Sequence, residues 1–125
     1  YEVYKNRSWL WDKGAGHFAV DRRFTAWSGD GSSASYADGR WHVTDKGQMC
    51  FSAVWHYQGG EKPDVTCFGH RKVGRVIYQR KEPSGSWYAF RNSPRKRTDE
   101  SEKLVPGNRV DGDFKKAAAL VAGSR

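Results

Sequence analysis

Residues 39 to 55, GRWHVTDKGQMCFSAVW, alternate apolar and polar side chains around a turn, the period-two signature of a strand pair with one buried face. If Asp45-Lys46-Gly47 is a three-residue hairpin loop closed by a left-handed glycine, Thr44 lies opposite Gln48. Val43 then faces Met49, Trp41 faces Phe51 and Ala37 faces Trp55, all on one side. A two-residue loop would set Trp41 against Cys50 and scramble the faces. The three-residue register is therefore preferred.

The same turn pattern recurs at Lys72-Val73-Gly74 and Pro83-Ser84-Gly85. The second loop predicts Phe68 opposite Tyr78 and His70 opposite Val76; the third predicts Tyr78 opposite Phe90 and Arg80 opposite Tyr88. Upstream, Phe18 and Val20 are expected to face Ala26 and Phe24 across Asp21-Arg22-Arg23. These pairings give an all-β fold, an antiparallel up-and-down meander or small barrel of about eight strands. Residues 1 to 92 carry it. Residues 93 to 125 add a polar, proline-bearing loop, an edge segment KLVPGNRV and a short C-terminal helix over 114 to 123, with Asp113 as N-cap and Gly123 as stop. Such a short helix is marginal alone and is expected to dock on the barrel. The glycine-rich stretches KGAGH (13 to 17) and SGDGSS (28 to 33) lack phosphate-loop spacing and read as turns.

Both cysteines fall into this register. The midpoint between Cys50 and Cys67 lies between Gln58 and Gly59, inside the connection YQGGEKPD, and pairing them sets Met49 opposite Phe68 and Phe51 opposite Thr66. The apolar face stays continuous and the two cysteines point away from it together, so a cross-strand disulfide is predicted. It implies an oxidising compartment. A zinc site or a reactive thiol is the weaker reading.

At 125 residues with 37% hydrophobic content the chain is one domain's worth. It has no apolar run of membrane-spanning length and no stretch resembling a signal peptide. It begins at Tyr1 rather than methionine, which fits removal of a targeting segment or a trimmed sequence equally. Charge is unevenly placed: nine of the 22 Lys and Arg residues but one of the 14 acids lie between 71 and 97, leaving 13 of each sign elsewhere. Within that segment Arg71, Lys72 and Arg75 flank the second turn, and Arg91, Arg95, Lys96 and Arg97 lie at or beyond the end of the last meander strand. In a meander these fall at one end of the barrel, where they would draw anions to the rim. Otherwise the charge serves only solubility.

The interior supplies the other candidate site. The register places Thr66, His70 and Arg80 on the aromatic face, with Thr66 opposite Arg80 and Trp41, Tyr78 and Tyr88 nearby. A guanidinium there must meet an acid, reach a barrel mouth or bind an anion; in an ordinary core it would pack on the tyrosines and bond backbone carbonyls. Aromatic walls with a few convergent polar groups also describe a small-molecule or sugar pocket. His42 and His56 point outward and His70 inward, so they cannot share a metal. No HExxH or CxxC motif is present, no acid pair is expected on the apolar face, and no cofactor is implied.

The motifs NRSWLWDKGAGHFAVDRRFTAWSG, ADGRWHVTDKGQMCF, CFGHR, VIYQRKEPSGSWYAFR and KLVPGNRV together resemble the domain of unknown function 995 family over residues 1 to 110. The resemblance implies a small alphaproteobacterial protein exported to the cell envelope, periplasmic or secreted, and implies no activity. The architecture is also similar to lipocalin- and avidin-type barrels, which does not fix function. The expected role is a non-enzymatic envelope module for an anionic or carbohydrate ligand. The alternatives are a protein or polyanion interaction module acting through the basic loop, and an envelope-polymer hydrolase. Export disfavours nucleic acid as partner.

Overall fold

The computed structural model describes residues 1–123. Nine antiparallel strands form one sheet: β1 (Arg7–Trp11), β2 (Gly14–Phe18), β3 (Arg23–Ser28), β4 (Ser35–Val43), β5 (Gln48–Tyr57), β6 (Gly60–Val73), β7 (Val76–Lys81), β8 (Tyr88–Arg91) and β9 (Leu104–Pro106). Strands one to eight follow chain order, and β9 returns to pair with β1 at the far edge. KLVPGNRV thus supplies an edge strand. Right-handed twist and a single apolar face curl the sheet into a half-barrel around Trp9, Phe18, Phe24, Trp41, Met49 and Phe90.

The first hairpin has the expected register: Val43 pairs with Met49 and Trp41 with Phe51, and Gly47 takes a φ of 79°. Cys50 stands opposite Cys67 and the two are bonded. The connection between these strands is shorter than expected, because Tyr57 pairs with Gly60 and all of GEKPD is strand.

Three other connections differ. Phe18 pairs with Phe24, so the loop runs from Ala19 to Arg22 and Val20 is 59% exposed. The second meander turn is the two-residue Gly74-Arg75, with Val73 opposite Val76 and Gly74 at a φ of 62°. That change of loop length by one flips β7 over: Gln79 points inward, and Tyr78 and Arg80 point outward. The third connection is a longer loop after Lys81, with a bulge between Ile77 and Tyr78, so Gln79 pairs with Tyr88. KGAGH is mostly strand β2 rather than a turn.

The open edge between β8 and β9 is covered by the segment that joins them. Asp99 is buried, and its carboxylate accepts the backbone N–H groups of Asn92 (2.9 Å) and Lys96 (3.0 Å) and the Asn92 amide. Those bonds hold its pKa below the usual carboxylate range. The 3-10 turn Glu100–Lys103 then packs on β1, β8 and β9. Helix α1 (Asp111–Gly123) starts three residues earlier than expected, because Asn108 Oδ1 accepts the N–H groups of Val110 and Asp111. It docks on β3 and β4 through buried Ala117 and Val121; the last two residues of the chain lie outside the described residues. Among the described residues no helix is long and apolar enough to cross a membrane.

The disulfide closes a span of 17 residues in sequence. Replacing both Cys50 and Cys67 by alanine should lower unfolding stability by about 3 kcal/mol, read from urea denaturation. Two reactive thiols in unreduced, denatured protein would show that the bond does not form.

Candidate functional site

The interior divides along its length. In one half, the turn-rich segment before β1 folds inside the sheet and inserts Tyr4, which is 3% exposed and packs against Trp9, Phe18, Trp41 and Phe90. A directed chain of hydrogen bonds runs through it. Tyr88 Oη donates to Gln79 Oε1, Gln79 Nε2 donates to Tyr4 Oη (2.8 Å), and Tyr4 Oη donates to His70 Nε2 (2.7 Å). His70 Nδ1 donates in turn to the Gly47 carbonyl (2.9 Å), which assigns its neutral tautomer. Every polar group in this half has a partner, as burial requires. Burial raises the Tyr4 phenol far above its ordinary range, and burial with the Glu100 charge pushes Tyr88 up to about 12. Burial also lowers His70, against the pull of the Gly47 carbonyl.

The other half is open. A cavity of about 380 Å³ lies between the ends of β1, β2, β3, β5 and β6. Its walls are Trp9, Trp11 and Trp55 with Phe18, Phe24, Phe51 and Phe68. Trp11 lies across β2 because Gly14 and Gly16 have no side chains there. A Cβ on Gly14 would overlap the Trp11 indole and the Trp27 carbonyl, and one on Gly16 would press on Phe24 and Trp11. Polar groups converge from three directions: Asp64 and Thr66 on β6, Lys81 on β7, and Glu100 beneath the covering segment. Glu100 is fixed, accepting Trp9 Nε1 at 2.9 Å and the Lys103 ammonium at 3.2 Å. Aromatic faces beside oriented carboxylates suit a ring that offers C–H faces and hydroxyl or ammonium donors.

The expected interior residues are therefore divided. Thr66 lines the cavity, whereas Trp41, His70 and Tyr88 belong to the filled half. Tyr78 and Arg80 are corrections: Tyr78 faces outward opposite Arg71, and Arg80 lies opposite Gly69. The Arg80 guanidinium sits 4.8 Å from the Trp87 ring centroid and 3.3 Å from Glu82 Oε2. Tyr4, Gln79, Trp9 and Glu100 come from segments far apart in sequence and have no signal in the alternation. Asp64 did have one: it shares the parity of Thr66, so the apolar face does carry an acid.

The basic segment forms a second hollow, of about 510 Å³, around Lys72, Arg75, Arg91 and Arg95, with Ile77 and Pro94 as apolar wall. The second turn and the end of β8 thus meet at one end of the sheet. Arg71, Lys96 and Arg97 do not line it. Among the described residues no group of three or more His, Cys, Asp or Glu is arranged to hold a metal.

The lowered pKa of His70 makes stability depend on pH in a definite sense. Its neutral form is favoured in the fold, so its contribution is complete above the ordinary value of 6.5 and is lost as pH falls from there through the lower folded value. His17, lowered by burial as well, adds in the same direction. The urea midpoint should drop between about pH 7 and about pH 5, and His70→Gln should reduce that slope by up to about one proton. A slope that His70→Gln leaves unchanged would show that this ring does not titrate with unfolding.

No curated protein and no solved structure matches the chain significantly, so the likeness to lipocalin-type barrels has no structural neighbour behind it. A family profile described as a protein of unknown function (DUF995) matches residues 1–110, which cover the whole strand system and stop where α1 begins. The chain therefore belongs to the domain of unknown function 995 family.

Proposed function

We propose that this chain is a non-enzymatic binding module of the bacterial cell envelope, and that its aromatic cavity holds a carbohydrate ring. The cavity carries this reading. Three indoles and four phenyl rings wall a space of about 380 Å³, large enough for a sugar ring or two, and Asp64, Thr66 and Glu100 supply acceptors for its hydroxyls. Glu100 is already paired with Lys103, and Asp64 stands against Lys81, so the lining offers no net positive charge to an anion and a neutral or amino-substituted sugar fits better than an acidic one. The disulfide supports an oxidising location such as the periplasm or the extracellular space.

Titration of intrinsic tryptophan fluorescence with neutral, amino and acidic saccharides should give a saturable change for the first two classes. Trp55→Ala should weaken binding about tenfold, the order expected for removing one stacking ring, with the fold intact by circular dichroism. Asp64→Asn should weaken the amino sugar more than the neutral one. If no saccharide perturbs the folded protein at millimolar concentration, the cavity has another occupant or none.

A further inference from the structure

The second hollow stands apart from the cavity, and its chemistry is of the opposite kind. Lys72 and Arg75 come from the turn between β6 and β7, Arg91 from the end of β8, and Arg95 from the loop beyond. No acid lines it. Several arginines elsewhere have partners: Arg23 is paired with Asp38, Arg80 with Glu82, and Arg22 lies over the Tyr1 ring. None of Lys72, Arg75, Arg91 or Arg95 makes a side-chain hydrogen bond or an ion pair among the described residues. Arg91 and Arg95 also border a neighbouring hollow that holds Glu2 and Glu102, but among the described residues neither acid forms an ion pair with them, so four like charges face the basic hollow and favour an anion there. Two of them extend from fixed backbone. Arg91 is on a paired strand, and Arg95 sits in a loop clamped by the Asp99 carboxylate through Asn92 and Lys96.

We propose that this hollow binds a phosphate monoester. Three guanidinium forks and an ammonium match a tetrahedral dianion, whose oxygens can accept several charge-assisted bonds at once, whereas a single carboxylate would leave most of the charge unanswered. At about 510 Å³ the hollow exceeds a bare phosphate, so the ester has room for its body against Ile77 and Pro94. The proposal does not depend on the occupant of the aromatic cavity.

Calorimetric titration of the intact protein should show inorganic phosphate binding weakly and glucose 6-phosphate binding more tightly. Glucose and acetate should give no signal at this site. The double variant Arg91→Gln, Arg95→Gln should weaken glucose 6-phosphate at least about tenfold, and Lys72→Gln, at an exposed position without a side-chain partner, should weaken it by a smaller factor. Arg109→Gln, the same charge change as Lys72→Gln but away from the hollow, should have no such effect. Vesicles of phosphatidic acid in phosphatidylcholine separate the sources: their recruitment of the wild type but not the double variant would assign a lipid headgroup, and its absence a soluble ester. The proposal is overturned if glucose 6-phosphate does not bind at about 10 mM, or if Arg109→Gln weakens it as much as the double variant. It is also overturned if Lys72→Gln and a correctly folded double variant bind like the wild type. Capture of an oligonucleotide without any ester binding would overturn it in favour of a polyanion track.

Discussion

The ladder between β5 and β6 decides what the interior receives. Ten consecutive residue pairs run from Gln48 opposite Gly69 to Tyr57 opposite Gly60, and the bonded cysteines pin the register on the outer side. A slip of β6 by one residue against β5 would send Thr66, Phe68 and His70 to solvent and bring Val65, Cys67 and Gly69 inside. Because β6 is 14 residues long, its inward side chains span both halves of the interior. Asp64, Thr66 and Phe68 serve the cavity and His70 the filled half, while the end of the strand supplies Lys72 to the basic hollow.

Closing a half-barrel of this size needs material from outside the meander. Tyr4 provides it for the filled half, at the cost of burying a phenol among an imidazole, an amide and a second phenol. That cost is offset because donors and acceptors alternate without a gap from Tyr88 to the Gly47 carbonyl. Breaking any link would leave a polar group unpaired in a region of rings, a penalty of about 1–3 kcal/mol. The segment after β8 does the same service on the outside. Its buried Asp99 accepts two backbone N–H groups and the Asn92 amide, which turns a polar, charge-blocked stretch into a fixed cover.

What the sequence discloses follows from how local each interaction is. The first hairpin and the cysteine pairing are legible because a turn signal and an apolar alternation agree there, and both constrain the same parity. At Lys72-Val73-Gly74 the glycine is equally visible, but it opens a two-residue turn instead of closing a three-residue one, and alternation in VIYQRK cannot arbitrate because Ile77, Tyr78 and Gln79 are plausible on either face. That single ambiguity moved Tyr78 and Arg80 inside. Tyr4, Trp9 and Glu100 were invisible for a different reason. Their hydrogen-bond partners across the interior lie 66, 75 and 91 residues away, and no periodicity reports such contacts. The gathering of Lys72, Arg75, Arg91 and Arg95 was legible from topology alone, since a meander fixes which turns share an end.

The filled half also determines how the two hollows relate. Buried Tyr4, Trp41 and Gln79, with His70 bonded to Tyr4 and Gln79, fill the interior beside the aromatic cavity. Along β6, Thr66 and Lys72 are six residues apart, about 20 Å at the rise of an extended strand. That is more than twice the screening length of about 8 Å at physiological ionic strength, so across solvent the charges at one end exert little force on a ligand at the other. The two sites share a strand and a fold but not a field. A chain of this size therefore has the means to hold a carbohydrate face and a phosphate-bearing group at opposite ends independently, and any link between them would have to lie in the ligand.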